Sequence, residues 1–333
     1  MSHTLATWDL YRPEIDAFIK DEEQKITPMY EKIFSVENTN RLEKTEFGWS
    51  GLSPMVRVEE TGDSVEDENL QGYAWSYVRQ VYRKHITFSS DLIETNQQPD
   101  PKMETMAREL PRAVAYSRNM NAFGMIRNAF SSSYLWGDGK ALASTAHPLK
   151  NGTGTQPNTF ADGVQRALSK LALQELEDVL QDMISNSGNS MYIENVKPIL
   201  WFAPKYRVKA FELAESELTP ETDANAANYW KGNLYDLWEL PYIKYRFAYQ
   251  AGETEVAQTS ADNYWDSMWG LIYPTVTQKY FKMKIADGYA KYSDEEIKRN
   301  QTFVKYASDK YTFGNTGFFG FVASKGDGTT YTG

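Results

Sequence analysis

Two long amphipathic stretches, Pro101 to Ser132 and Val164 to Ile184, are separated by a segment that can continue neither of them: Trp136 to Lys150, reading WGDGKALASTAHPLK. Asp138-Gly139 supplies the positive-φ positions of a tight turn, Pro148 fixes the backbone after His147, and the Gly, Thr and Asn-rich run from Asn151 to Asn158 reads as a loop. Whatever this chain folds into must be built around a reversal at this point. By its local physics alone the segment is a turn.

The flanking patterns give the rest of the frame. Met103, Met106, Leu110, Val114, Ala115, Phe123, Ile126 and Phe130 fit one helical stripe, with Pro111 predicting a break near Leu110 and a long helix from about 111 to 132. Val164, Leu168, Leu171, Leu176, Val179, Leu180 and Met183 predict a second helix, started near Asp162 and Gln165 and closed by turn residues Asn186 to Asn189. Ile199–Phe202, Ile243–Tyr249 and Leu271–Tyr273 read as buried strands. No internal repeat is present, which argues against a solenoid. In residues 1–47, Asp16–Lys20 and Thr27–Phe34 read as short helices that could not stand alone in water, so this part is expected to be an arm lying on a neighbouring subunit, or else a helical cap on its own domain.

Between residues 48 and 90 the pattern is extended. Met55–Val58 reads as one strand, and Tyr73–Phe88, with Tyr73, Trp75, Tyr77 and Tyr82, as a second. At ~3.3 Å per residue the second would reach about 50 Å, longer than ordinary globular strands. Between them Glu59, Glu60, Asp63, Glu66, Asp67 and Glu68 form an acidic stretch without a Lys or Arg, while Arg79, Arg83 and Lys84 lie on the long strand. A projecting two-stranded loop, acidic at its tip and basic at its base, would pair head to tail between identical subunits. A solvated acidic loop is the plainer reading.

Composition narrows the function classes. With 22 Tyr and 9 Trp, aromatics reach 14%, which suits sheets and contact surfaces and equally the core of a large β-rich domain. A formal charge of -10 and a pI near 5.0 argue against gripping nucleic acid through its backbone. The absence of cysteine removes disulfides and thiolate metal sites and fits a reducing cytoplasm. The first residues carry no conventional signal peptide pattern, and no apolar run approaches the ~20 residues of a membrane span, so a soluble, unexported chain without a membrane partner is expected.

Candidate chemistry is sparse. Asp138, Ser144 and His147 are the residue types of a hydrolytic triad, yet Ser144 lacks the Gly-x-Ser-x-Gly elbow that would expose it. His3, His85 and His147 share no ligand spacing, and the Asn151–Thr155 run lacks the Lys-Ser/Thr of a phosphate loop. Carboxylate pairs such as Glu175 with Asp178, or Glu295 with Glu296, sit where solvation accounts for them, leaving a carbohydrate-active hydrolase a distant alternative. No catalytic residue, cofactor or metal is expected.

The order of these pieces carries a resemblance. A long helical segment ending in Arg127, Asn128, Ala129 and Phe130, then W-x-D-G-K-x-L-x-S-T-A-H-P-L with Trp136, Asp138, Gly139, Ser144, Thr145, His147 and Pro148, then a second amphipathic helix, resembles the major head proteins of tailed bacteriophages, in their Mu-like branch. Pro198–Pro204 (PILWFAP) resembles that family's buried strand before a helix carrying Lys205–Glu215. Ser216–Leu234 resembles its loop of small and polar residues, and Tyr311–Ser324 its closing strands, although Phe318 and Phe319 stand where the family has a tryptophan. The likeness runs from Gly72 to Gly328. It implies an α+β chain of the Hong Kong 97-like capsid fold: an N-terminal arm (1–47), an extended loop (48–90), a peripheral domain with its spine helix (91–153), an axial domain (154–274), and C-terminal strands returning to the peripheral domain (275–333). It further implies a structural virion protein that assembles through hexamers and pentamers in the host bacterial cytoplasm. Its partners would be itself, a portal, scaffolding and decoration proteins, and it would enclose double-stranded DNA without sequence-specific binding. A cellular compartment shell of the same fold is the near alternative.

Overall fold

The computed structural model describes residues 3–49, 57, 71–89, 101–150, 154–190, 197–216, 234–240, 265–288, 290–297 and 302–332. The expected strand Met55–Val58 apart from Arg57, the expected strand Ile243–Tyr249, most of the Ser216–Leu234 loop and the acidic stretch Glu59–Glu68 lie outside the described residues.

Helix α1 spans His3–Lys25. Its charges conceal a stripe at three- and four-residue spacing, Trp8, Tyr11, Ile15 and Ile19, all buried, while Pro13 sits on the exposed side. The stripe packs on Met103, Ala107 and Leu110 of α2 (Pro101–Arg127) and on Phe88, Phe303 and Ala307. Trp8 stacks on Phe303 at 4.7 Å. Charges reinforce the helix pair: Arg108 reaches Asp21 at 2.5 Å and Glu104 at 2.9 Å, and Arg112 reaches Glu22 at 2.7 Å. Two expectations are thereby corrected. The N-terminal segment forms one long helix that takes in Asp16–Lys20 and only a single 3-10 turn at Tyr30–Lys32 within Thr27–Phe34, in place of two short helices, and α1 packs on its own chain, as the alternative of a helical cap has it. Helix α2 also runs through Pro111 without the break expected there, and it ends at Arg127. Leu110 and Pro111 are buried, as are Met120, Phe123 and Ile126 further along, so packing on both halves holds the helix across the missing hydrogen bond.

The main sheet is organised by its longest strand. Strands β1 (Ser35–Asn38), β4 (Gln80–Ser89), β10 (Phe281–Ile285), β11 (Lys291–Ile297) and β12 (Thr302–Asn315) form it. One edge of β12 pairs antiparallel with β4 from Thr302 to Tyr311, and the other pairs with β11 up to Ser308 and with β10 from Tyr311 onward. On β12, Phe303, Lys305, Ala307, Asp309 and Tyr311 alternate onto one buried face, as period two requires. That face meets the helices: Arg118 of α2 forks onto Asp309 at 2.6 and 3.1 Å, Asn121 donates to the Tyr311 hydroxyl at 2.7 Å, and Lys305 pairs with Asp16 of α1.

The expected long strand Tyr73–Phe88 is two strands belonging to two sheets. Strand β3 (Gln71–Val78) pairs antiparallel with β2 (Glu43–Trp49), and after Arg79 the chain continues as β4 in the main sheet. The hairpin partner of β3 thus begins within the segment expected to be an arm.

The second sheet runs β13 (Phe321–Ser324), β9 (Trp269–Ile272), β7 (Ile199–Phe202), β8 (Asp236–Glu239), with β7 and β8 parallel. It carries α3 (Lys170–Gln181), α4 (Arg207–Glu215) and α5 (Pro274–Tyr280). The second expected helix is shorter than its pattern. Ser169 caps α3 by accepting from the Ala172 N–H at 3.2 Å, whereas Val164 bridges to Thr330 and Gln165 is tied to the C-terminal loop. Gly188 has φ +83 in the turn anticipated after the helix. Strand β7 and helix α4 stand where PILWFAP and its following helix were expected. One apolar core joins the second sheet to α2 and to the β10–β12 end of the main sheet.

Candidate assembly surfaces and the junction that orients them

Trp136 to Lys150 forms a joint between three parts of the fold. Its turn closes through Gly139 N to Trp136 O at 2.8 Å and Trp136 N to Lys140 O at 2.9 Å, with Gly139 at φ +76 and the Asp138 carboxylate accepting from Lys140 N at 3.0 Å. The two-residue strands β5 (His147–Pro148) and β6 (Thr155–Gln156) then pair, so His147 lies opposite Gln156. Asn158 is fully buried, and its carboxamide fixes the joint: Oδ1 accepts from Ser144 N at 2.7 Å, and Nδ2 donates to Leu142 O at 2.7 Å. Those two bonds orient the amide, so the His147 Nε2 facing Oδ1 at 3.1 Å is the donor of that pair. The other ring nitrogen, Nδ1, lies 2.5 Å from Asp138 Oδ2, and the imidazole stacks on Phe318 at 3.9 Å.

Asp138, Ser144 and His147 are therefore neighbours with structural engagements. Ser144 Oγ accepts from Ala146 N at 3.1 Å, and both ring nitrogens of the buried His147 are taken by Asp138 and Asn158. Asn158 and Phe318 are the members that sequence reasoning missed. Asn158 was visible only as one polar residue of a loop, and its role needs the β5–β6 pairing to appear.

The same segment grips the hairpin β2–β3. Trp136 packs against Trp75 at 4.7 Å, Tyr73 donates from its hydroxyl to Pro148 O at 3.1 Å, and Lys150 Nζ donates to Gly72 O at 2.7 Å. Gly137 is required at this approach, since a Cβ there would stand 2.5 Å from Ala74 O. Thr145 and Pro148 are half-buried beside it.

A buried charge cluster fixes the middle of the hairpin to the main sheet. Lys284 of β10, with only 1% of its side chain exposed, pairs with Glu37 of β1 and with Glu46 of β2 at 2.6 Å. Lys282 reaches Glu37 at 2.8 Å and Glu46 at 3.3 Å, and Lys44 reaches Glu46 at 2.5 Å. Burial pushes the Glu46 carboxyl up, but hydrogen bonds from Lys284 and Lys44 and the charges of Lys284 and Lys282 outweigh it and hold the group at about 2. Glu37 is lowered in the same way, against its own burial.

The basic residues expected at the loop base do not share a face. Arg79, at the crossing from β3 to β4, donates to Asn40 O at 3.4 Å. Arg83 lies opposite Ser308 and Lys84 opposite Ala307, so their side chains leave opposite faces of the sheet, both exposed. Exposed apolar side chains cluster near the hairpin, at Leu42, Phe47, Val78 and Val81, and on α3 and α4, at Leu171, Val208 and Phe211. Leu171 and Val208 are 65% and 70% exposed, more than a sealed monomer needs on short helices.

No known family pattern matches the sequence, and no characterised protein matches it by sequence. Solved structures do share its shape. The capsid of an empty GTA particle superposes with a TM-score of 0.54 at 10% identity, covering 90% of this chain and 89% of that one. The capsid of the cyanophage P-SCSP1u gives 0.50 at 11% identity, covering 89% and 87%. The procapsid of bacteriophage JBD30 gives 0.45 at 10% identity, covering 97% and 76%. The first two likenesses establish the class: this is a chain of mixed α and β structure with the Hong Kong 97-like capsid fold.

Proposed function

We propose that this protein is the major capsid subunit of a tailed double-stranded DNA bacteriophage, of the Mu-like branch, which closes through hexamers and pentamers into an icosahedral shell around the genome. The observation that carries the reading is a capsid fold matched along nine-tenths of this chain and of a capsid chain alike, at 90% and 89% coverage. The Mu-like assignment rests on the motif from Trp136 to Pro148. In this reading residues 154–274 form the axial part, residues 91–153 with the returning strands the peripheral part, and assembly takes place in the host cytoplasm with a portal, scaffolding and decoration proteins as partners. The mechanism is assembly and not turnover. Each contact is modest, and closure of a symmetric lattice multiplies them into a kinetically stable shell.

We further assign the acidic stretch Glu59–Glu68 of one subunit to a neighbour's cations at the loop base, Arg79, Arg83 and Lys84. Deleting residues 59–68 leaves the subunit folded and prevents closure; normal particles from that variant would refute the assignment. The function itself is tested by velocity sedimentation and electron microscopy of the purified full chain, across protein and salt concentration and in crowding agents. Closed particles, or rings of five and six, are expected. A species that stays near 38.1 kDa under all of these conditions and forms no particles in expressing cells would overturn the reading.

A further inference from the structure

The partners of His147 leave no acceptor role for either of its ring nitrogens. The side chain is 1% exposed, and both nitrogens face oxygen: Nδ1 lies 2.5 Å from Asp138 Oδ2, and Nε2 lies 3.1 Å from Asn158 Oδ1. Asn158 cannot turn its amino group to the ring, because Oδ1 accepts from Ser144 N and Nδ2 donates to Leu142 O, both at 2.7 Å. Nε2 therefore carries a hydrogen. A neutral imidazole with its hydrogen on Nε2 has a lone pair on Nδ1, and a carboxylate oxygen has only lone pairs to set against it. The 2.5 Å contact between them is a bond only when a further proton sits there, whether it is assigned to the ring or to the carboxyl.

Among the described residues no other group at the joint takes that proton's place. The Asp138 carboxylate, 6% exposed, is paired with no Lys or Arg there, and its Oδ1 accepts from Lys140 N at 3.0 Å. Strand β3 brings up Tyr73, and the loop after β12 brings up Phe318, stacked on the ring at 3.9 Å, with the neutral side chains of Asn315 and Thr316. Gln156, opposite His147 across β5–β6, has both ends of its carboxamide engaged by the Ile184 backbone. Burial, and then the Asp138 charge, push the Tyr73 phenol above its ordinary value, and its hydroxyl is used in donating to Pro148 O. Lys150 lies over the Tyr73 ring and is turned to Gly72 O. The cavity beside the pair, about 10 Å³, has room for one water at most, so solvent cannot wedge two facing lone pairs apart without moving the chain.

We propose that the His147–Asp138 pair holds one proton in common at neutral pH, and that its loss as pH rises loosens the grip of this joint on hairpin β2–β3. Removing the proton sets a nitrogen lone pair against an oxygen lone pair, at Asp138 or, in the other tautomer, at Asn158. Relief comes from moving the Trp136–Lys140 turn and strand β5 apart. The turn carries Trp136 against Trp75, and β5 carries the Pro148 carbonyl that accepts from Tyr73, so either displacement reaches the hairpin. Linkage gives the sign. An unfolded histidine gives up its proton at about pH 6.5, and above that the folded joint binds one proton more than the unfolded chain. The stabilisation is complete below about pH 6.5 and is lost as pH rises through the range in which the joint releases its proton.

The test compares the full-length, unassembled protein with Asp138→Asn, whose carboxamide can donate to an unprotonated Nδ1 while its oxygen still accepts from Lys140 N. In urea unfolding followed by tryptophan fluorescence, the wild-type unfolding equilibrium constant should rise relative to that of D138N by about tenfold per pH unit above about pH 6.5. Proton magnetic resonance in an H3Q/H85Q background, which leaves His147 as the only histidine, should show a solvent-protected proton at each ring nitrogen at about pH 7.5, and only the Nε2 proton once D138N is added. Amides of hairpin β2–β3 should exchange at least about tenfold faster in the wild type than in D138N at about pH 9, a comparison at one pH that cancels the intrinsic exchange rate. A wild-type ring with a single protected proton, an equal pH dependence of stability in the two proteins, or equal hairpin exchange at about pH 9 would each overturn the proposal. If D138N does not fold, the wild-type ring protons decide, and absence of the one at Nδ1 refutes it.

Discussion

Replacing Lys284 by methionine tests whether the hairpin is held to the main sheet by charge. Methionine keeps the stem that lies over the Tyr77 ring and removes the ammonium from between Glu37 and Glu46. Breaking a fully buried ion pair from one side costs about 3–5 kcal/mol, because the partner charge is left uncompensated. Here the cost is smaller. Glu46, 13% exposed, keeps Lys44 and Lys282, and Glu37, 35% exposed, keeps Lys282. A loss of about 2 kcal/mol follows once the surviving partners and solvent screening are allowed for. The assay is urea unfolding of the unassembled subunit followed by tryptophan fluorescence, with proteolysis of the hairpin as a local readout. K284M/E46M removes both charges and should recover at least about 1 kcal/mol of that loss, since a neutral pair leaves no buried carboxylate stranded. The pH dependence has a definite sign. The Glu46 carboxyl is depressed from its usual 4.5 to about 2, so its contribution is complete above about 4.5 and disappears as pH falls through 2. The K284M variant should show a shallower acid loss across that window. A K284M loss below about 0.5 kcal/mol, or a double variant that loses the sum of its singles, would refute the account.

Three further substitutions address the rest of the frame. Asn158→Ala strands the Ser144 N–H, the Leu142 carbonyl and His147 Nε2, and at about 1–3 kcal/mol for each unsatisfied buried group it should lower stability by at least about 3 kcal/mol in chemical denaturation; less than about 1 would mean that the carboxamide network is dispensable. Gly314→Ala places a methyl 2.2 Å from Trp75 Nε1 and 2.7 Å from Tyr77 Cε1, so the hairpin must lift; about 1–3 kcal/mol is lost, and the hairpin should be cleaved faster by protease while the far-ultraviolet dichroism stays unchanged. Trp8→Ala empties the stack on Phe303 and should cost about 3–5 kcal/mol in the isolated subunit, whereas an arm resting on a neighbour would leave the isolated subunit's stability untouched.

The parts of this fold that were legible in the sequence are those whose signal is local. The turn at Asp138-Gly139, the apolar run Ile199–Phe202 and the closing strands after Tyr311 each declare themselves within a dozen residues, and the structure has them there, although at the turn only Gly139, and not Asp138, takes a positive φ. What was misjudged depends on distant partners. Helix α1 exists because Phe88 and Phe303 offer its sparse stripe a surface, and the Pro111 break is overridden by packing on both sides of it. Val164–Leu168 has helical spacing but is claimed by Thr330 and the C-terminal loop. The junction was recognisable as a motif, yet its working parts were not, since Asn158 and Phe318 reach His147 from 11 and 171 positions away.

Strand Gln71–Ser89 shows why that distinction matters for assembly. Its large apolar residues alternate at Tyr73, Trp75 and Tyr77 and then, out of phase, at Tyr82, Ile86 and Phe88, so a reading as one strand passes over a change of face near Arg79; the partners, β2 before Arg79 and β12 after it, divide it into two. The division has a mechanical consequence. Hairpin β2–β3 is continuous in backbone with the edge strand of the main sheet, and it is clamped twice before that crossing, by Trp136, Pro148 and Lys150 at Trp75, Tyr73 and Gly72 and by Lys284 at Glu46 and Tyr77. A load applied to the hairpin by a neighbouring subunit therefore passes into β12 and, through Arg118 and Asn121, into α2. Position and sheet are coupled by covalent chain, buried charge and one polar joint, so a subunit that shifts its hairpin must break at least one of the three.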